Sequence, residues 1–360
     1  MVAIAMSGGI DSAVAAFLLQ GKYQIFGLTM FLGSFGKSAI KNAKIICQRL
    51  KIPHYVVNLE KEFKREIIKP FTKEYANGRT PNPCIWCNEK IKFGLLLKKA
   101  EKLGANFLAT GHYARITREI SNFKFQISNK SQITNSKNRT IYKLLKAKDK
   151  AKDQSYFLYR LKQSQLKKII FPLGDLTKEE VKKIAVKNKL LIKEQKESHE
   201  ICFIPDNDYR KFLKNNLRRK TKKGVIKNLR GKIIGEHQGL PFYTVGQRKG
   251  LIRGQKRPFY VVKMDNGNNT LTVGGEKDLY QKEFTVGRIN WLDGKEIKNK
   301  KKITVKIRYC HPDILVDFLK WQQNGKLDVK LKKPQKAVTP GQSAVFYNKD
   351  EVLGGGVIEK

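Results

Sequence analysis

Apolar positions along the first third of the chain switch between two rhythms. An apolar run opens at Met1 and breaks at Ser7-Gly8-Gly9, after which Ala13 to Leu19 reads as a buried helix. Tyr23 to Phe31 is rich in β-branched and aromatic residues and predicts a second strand. Ser38 to Leu50 carries Ile40, Ala43, Ile46 and Cys47 at helical spacing, which makes Cys47 a core residue of that face. His54 to Leu59 predicts a third strand and Glu60 to Tyr75 a long charged helix. Asn88 to Leu103 predicts another helix, with Ile91, Leu95, Leu96 and Leu103 on its buried side, and Phe107 to Thr110 a fourth strand ending at Gly111-His112-Tyr113. Repeated β-α units imply a parallel sheet covered on both faces, with ligands beyond the carboxyl ends of the strands.

The rhythm breaks over residues 121–140, a polar stretch that repeats Gln-Ile-Ser/Thr-Asn at 126–129 and 132–135 and predicts a surface insertion. A strand is expected at Tyr142 to Leu145, helices at Ser155 to Leu161 and Ser164 to Ile170, and a helix running through Ala185 behind the capping box Thr177-Lys178-Glu179-Glu180. A basic, irregular stretch from Arg218 to Lys223 marks a boundary. Beyond Gly224 the pattern turns to short strands. Ile303, Val305, Ile307 and Tyr309 alternate with polar residues, as do Leu327, Val329 and Leu331, and the segments 341–347 and 352–358 are placed to close a small antiparallel barrel. The expected fold is therefore α/β. A Rossmann-like parallel-sheet domain spans 1–205, a small central domain 206–283 and a C-terminal antiparallel β-barrel 284–360.

Charge and cysteine usage narrow the function. Lys+Arg number 74 against 31 Asp+Glu, a net charge of +43 that favours a polyanionic partner, although lysines spread along a whole chain also occur without one. The cysteines Cys47, Cys84, Cys87, Cys202 and Cys310 make no secreted disulfide framework. Met1 leads straight into a strand without a basic leader, and no apolar run approaches the roughly 20 residues that span a bilayer. A cytoplasmic location with no membrane partner is expected.

Two stretches carry chemistry. The strand–Ser7-Gly8-Gly9-Ile10-Asp11-Ser12–helix sequence presents backbone N–H groups and a positive helix end to an anion, with Ser7 and Ser12 adding hydroxyls. Asp11 or Ser12 could instead simply cap a core helix. The helix start has no Walker lysine, and the motif resembles the pyrophosphate loop of ATP pyrophosphatases, which adenylate a substrate. In Gly78 to Asn88, two prolines in three residues extend the backbone and deliver Cys84 and Cys87 to a helix start, where the positive helix end should lower a thiol's pKa. Cys202, in Ile201-Cys202-Phe203-Ile204, has apolar flanks that would equally suit a core residue.

These segments together resemble the tRNA-specific 2-thiouridylases. The likeness runs through residues 5–12, 78–87, 109–113, 152–158, 201–204, 235–239, 244–251, 308–309 and 340–347. It implies that ATP, with Mg²⁺, is held by Ala5, Met6, Ser7, Gly8, Gly9, Ile10, Asp11 and Ser12, with Met30 and Gly111 lining the nucleotide site. It implies adenylation of the C2 oxygen of a tRNA wobble uridine and attack by a Cys202 persulfide charged by a sulfur-relay protein or cysteine desulfurase. Cys87 then resolves the persulfide through a transient disulfide. It assigns tRNA contacts to Asn82, Pro83, Cys84, His112, Lys152, Asp153, Gln154, Arg308, Tyr309 and Gln342. The sequence departs from the family at Cys84, where many members carry aspartate. Cys84, Cys87 and Cys202 could alternatively hold a [4Fe–4S] cluster for the same reaction. Another adenylating enzyme of the loop class, such as a lysidine or argininosuccinate synthase, would need neither Cys87 nor Cys202, and charge alone would also suit a non-catalytic RNA-binding protein.

Overall fold

The computed structural model describes residues 1–122, 138–191, 201–204, 206–217, 221–252, 258–294 and 302–359. Strands β1 (Val2–Ala5), β2 (Ile25–Phe31), β3 (His54–Asn58) and β4 (Phe107–Ala109) form a parallel sheet. Next in the chain come β5 (Ala114–Asn122) and β6 (Asn138–Lys146), a long antiparallel hairpin, and then β7 (Ile169–Ile170), which completes the parallel sheet in the order β3-β2-β1-β4-β7. Val2, Ala3 and Ile4 are fully buried, as a strand covered on both faces requires. Strand order reverses direction between β1 and β4, so the ligand crevice of an open α/β sheet lies beyond their carboxyl ends. The loop after β1 and residues 110–112 after β4 both open into it.

The expected helices and strands lie at or within a few residues of their positions, with one correction. Ser155 to Leu161 and Ser164 to Ile170 are not two helices. Only Ser155–Phe157 and Gln163–Leu166 make short turns of helix, and Ile169–Ile170 pairs with Leu108 and Ala109 as β7. Two apolar residues cannot signal a strand locally; the open edge of β4 supplies the pairing. The insertion at 121–140 is framed by the hairpin, and residues 123–137 of it lie outside the described residues.

The central unit pairs β8 (Gly224–Asn228), β9 (Ile233–His237), β10 (Tyr260–Asp265) and β11 (Thr270–Gly274) in the order β10-β11-β8-β9. Its core is continuous with the helix of residues 60–76: Ile226, Phe242 and Val261 share one apolar cluster with Phe63, Ile67 and Phe71. Strands β12 (Tyr280–Trp291), β13 (Ile303–Lys306), β14 (Ile314–Trp321), β15 (Leu327–Lys336), β16 (Ser343–Asn348) and β17 (Glu351–Ile358) form a barrel that closes where β12 pairs with β17. Leu145 of β6 pairs with Glu351, so the hairpin adds to the barrel's sheet.

The three units converge on Thr80. Its N–H donates to the Pro340 carbonyl at 2.9 Å, its carbonyl accepts from Gln342 Nε2 at 3.0 Å, and its hydroxyl lies 3.2 Å from that of Thr244. Gly341 makes this junction possible. Its φ is +95°, and a Cβ there would stand 2.7–2.9 Å from Thr80 backbone atoms. The substitution Gly341→Ala should therefore cost about 1–3 kcal/mol of stability, read as a lower midpoint in denaturant unfolding; an unchanged midpoint would contradict the junction's role.

Candidate functional site

The loop after β1 is built by its own hydroxyls. The Ser7 N–H donates to Ser12 Oγ at 3.2 Å, and the Ser12 hydroxyl donates to the Gly9 carbonyl at 2.8 Å. Gly9 is the N-cap of the helix Ile10–Gln20, and no side chain caps it. Neither Asp11 nor Ser12 is a simple cap, so side chains leave the first-turn N–H groups to a ligand. Asp11 turns instead toward Lys178, whose Nζ donates to its two carboxylate oxygens at 2.7 and 2.9 Å, and toward the Tyr113 hydroxyl, which donates at 2.8 Å. Ala5 and Met6 lead into the loop from β1, and Met30 lies half-buried at the end of the adjacent strand. Gly111 presses on the loop from β4. A Cβ added to it would lie 2.7 Å from the Asp11 carbonyl carbon and 2.8 Å from the Ser12 nitrogen.

The cysteine half begins at Asn82, whose side chain accepts from the Cys84 N–H at 3.2 Å and caps the helix, with Pro83 in its first turn. The helix widens to π geometry over Cys87–Leu96. In an α-helix, at about 100° per residue, a residue five positions after Cys87 would lie well round the helix. The i→i+5 bonding of π geometry turns each residue through a smaller angle and brings the fifth one, Lys92, round toward the side of Cys87. Cys202 arrives from the other side. Phe203 plugs into an aromatic cluster, its ring 5.6 Å from Phe63 and 5.3 Å from both Phe71 and Phe212, and Cys87 shares that apolar cluster. Packing of Phe203 thus sets where Cys202 stands.

The three thiols influence one another electrostatically, and Lys92 acts on all of them and on His112. The expected lowering of their pKa at the helix start is not found. Burial dominates: it raises Cys84, takes Cys87 to about 12 and Cys202 to about 11, even though Cys202 keeps an exposed edge, while Lys92 pulls each of them back only in part. Lys92 carried no motif and was missed from sequence, because the π register that places it is not readable locally. Cys47 is a buried core residue as expected, and Cys310 is exposed.

His112 joins the halves. It follows Gly111, its Nδ1 lies 2.7 Å from the Thr110 hydroxyl, and its ring packs 5.7 Å from Phe93, next to Lys92 on the cysteine helix. Burial first, and Lys92 second, hold it well below the ordinary imidazole pKa, so it is neutral. The segment 152–154 locks onto the next residue: Gln154 Oε1 accepts from the Tyr113 N–H at 2.9 Å. Asp153 is buried and spent internally on the N–H groups of Ala147 and Ser155 and on the Ser155 hydroxyl, whereas Lys152 is half-buried. Tyr309 packs its ring 4.4 Å from Phe157, and Arg308 donates to the Lys336 carbonyl at 3.3 Å. Gln342 stands apart, at the Thr80 junction. Among the described residues no three His, Cys, Asp or Glu side chains converge to hold a metal ion. The [4Fe–4S] alternative on Cys84, Cys87 and Cys202 draws no support from this arrangement.

Residues 1–206 match the tRNA methyl transferase HUP domain, 210–275 the tRNA methyl transferase PRC-barrel domain and 281–358 the aminomethyltransferase beta-barrel domain. The chain is 43% identical to the tRNA-specific 2-thiouridylase MnmA 1 of Caldanaerobacter subterraneus subsp. tengcongensis, over 100% of this chain and 98% of the relative. It is 41% identical to the tRNA-specific 2-thiouridylase MnmA of Carboxydothermus hydrogenoformans, over 100% and 97%. The solved U34-tRNA thiolase NcsA of Methanococcus maripaludis, with its [4Fe-4S] cluster, aligns at 21% identity and a TM-score of 0.35 over 60% of this chain and 66% of its own, too loosely to inform residue roles.

The raised thiols make a pH prediction. Cys87 and Cys202 stay protonated in the native protein up to about 12 and about 11, whereas an unfolded thiol ionises near 9. Their contribution to stability is therefore complete below pH 9 and is lost as pH rises from 9 toward 12. Alkylation of native Cys202 by iodoacetamide should keep accelerating with pH beyond 10, while the urea-unfolded chain levels off near 9. A native rate that plateaus at or below pH 9 would contradict the burial of these thiols.

Proposed function

The chain belongs to the tRNA-specific 2-thiouridylase family, and on that premise we propose how its residues divide the reaction. ATP binds at Ala5 to Ser12, with Met30 and Gly111 beside the nucleotide. Mg²⁺, arriving with ATP, would supply charge neutralisation for the phosphates. The uridine C2 oxygen attacks the α-phosphate, forming a C2–O–AMP linkage and releasing pyrophosphate. This turns a poor electrophile into one with a good leaving group.

Sulfur then enters as a persulfide on Cys202, delivered by a sulfur-relay protein or cysteine desulfurase. Its terminal sulfur loses a proton and attacks C2. The Cys87 thiol, also deprotonated, attacks Sγ of Cys202. The Cys202 S–S bond breaks, a Cys87–Cys202 disulfide forms, the electron pair returns to the sulfur on C2, and AMP departs as the C2=S bond is made. A two-electron thiol reductant resets the disulfide, as a cytoplasmic setting allows. The charge of Lys92 acts to lower the pKa of both thiols and so favours the anionic states this exchange requires.

For tRNA we assign Asn82, Pro83, Cys84 and His112 to the target base and its neighbours, which must leave the stack to reach a crevice. Lys152, Gln154, Arg308, Tyr309 and Gln342 serve the surrounding strand, with Asp153 shaping the 152–154 turn from within. No step is routed through an iron–sulfur cluster.

The observation that carries this reading is the joint at 110–112, which presses on the ATP loop through Gly111 and on the cysteine helix through His112. With tRNA, ATP and a persulfide donor, Cys202→Ser should lower 2-thiouridine formation by at least about 10³-fold, the scale of losing an essential nucleophile, while pyrophosphate release persists. Retained thiolation would remove Cys202 from its role, and loss of pyrophosphate release as well would indicate damage to the fold.

A further inference from the structure

We propose that Gln165 is the positioning residue of the cysteine helix: its side-chain amide holds the π register of Cys87–Leu96, and with it the place of Cys87 in the sulfur exchange. The role rests on the reading of Cys87 above and deepens it. A π turn leaves backbone groups that the helix itself does not serve, so it persists where something else serves them. The Leu97 N–H, which in an α-helix would bond to the Phe93 carbonyl, reaches the Lys92 and Gly94 carbonyls instead. Gln165 Nε2 donates to the carbonyl passed over, that of Phe93, at 2.7 Å, and to that of Glu89 at 3.3 Å.

Other contacts fix that amide in place. Gln165 Oε1 accepts from the Lys162 N–H at 2.8 Å, which sets the way the amide points. Leu161 and Leu166 share a buried cluster with Phe93 and Leu96. Arg160 grips the Glu89 carboxylate through Nε at 2.6 Å and Nη2 at 3.1 Å, and Asn88 Nδ2 donates to the Phe157 carbonyl at 3.2 Å. Residues 157–165 thus clamp the π segment directly after Cys87. Gly94 fits the same register: a Cβ there would lie 3.0 Å from the carbonyl oxygen of Glu89, five residues earlier.

The test uses full-length Gln165→Glu and Gln165→Met with tRNA, ATP and a persulfide donor. Glutamate keeps the oxygen that accepts from Lys162 but sets a second oxygen against the Phe93 and Glu89 carbonyls; methionine loses every one of these bonds. Both variants should thiolate roughly 10²-fold more slowly, the scale of misplacing a reacting group by about 1 Å. Pyrophosphate release should stay within about twofold of wild type, and the KM for tRNA should not change. The rise of Cys87 alkylation with pH, followed on the peptide that carries it, should move to higher pH in both variants as Lys92 leaves its register. Wild-type thiolation in Gln165→Glu would overturn the proposal, because a residue that only caps Gln163–Leu166 needs no donor. An alkylation profile that moves in neither variant would overturn it as well. So would pyrophosphate release that falls in step with thiolation, since that marks damage to the whole domain. Full thiolation in Cys87→Ser, by contrast, would remove Cys87 from the sulfur exchange, and this role with it.

Discussion

The candidate site depends on the close contact between Gly111 and the loop after β1. No side chain fits there: even one carbon would come within 3 Å of the Asp11 and Ser12 backbone. This contact closes the crevice at the point where the sheet reverses its strand order. It fixes the height of residues 110–113, and those residues in turn hold everything around them. Tyr113 bonds to Asp11 and Gln154, and His112 rests on Phe93 of the helix that bears Cys87. The loop after β1 and the helix that bears Cys87, from distant parts of the chain, are thereby set on one crevice.

Two opposing effects meet at the cysteines. A helix start favours a thiolate, but removing a thiol from water favours the neutral form, and here the second wins by two or more pH units at Cys87 and Cys202. Resting thiols that stay protonated are poor targets for adventitious oxidation. Lys92, brought round by the π register, is the group that offsets burial when an anion forms. The same arrangement keeps His112 neutral, so it can take part in hydrogen bonds without adding a second positive charge.

What was legible in the sequence was local. Ser7-Gly8-Gly9-Ile10-Asp11-Ser12 announces an anion loop because turn, hydroxyls and helix start are contiguous, and Thr177 to Glu180 announces a helix start for the same reason. The alternating barrel strands could be read from period alone. What was hidden depends on partners far along the chain. Ile169–Ile170 is a strand only because β4 has an open edge. Lys92 reaches the thiols only because the helix widens. Lys178 looked like a capping-box residue, and nothing nearby in sequence indicates that its ammonium ends on Asp11. The expected fall in cysteine pKa failed similarly, since the helix end is visible in sequence and the depth of burial is not.

The central claim is that the loop and the cysteines act in turn on one atom, C2 of a tRNA uridine. The most direct test uses tRNA carrying ¹⁸O at C2 of the wobble uridine, with ATP and a persulfide donor, and mass analysis of the nucleotide product. One ¹⁸O should appear in AMP for each 2-thiouridine formed, because the base oxygen leaves on the adenylate. AMP without the label, alongside 2-thiouridine, would contradict the account.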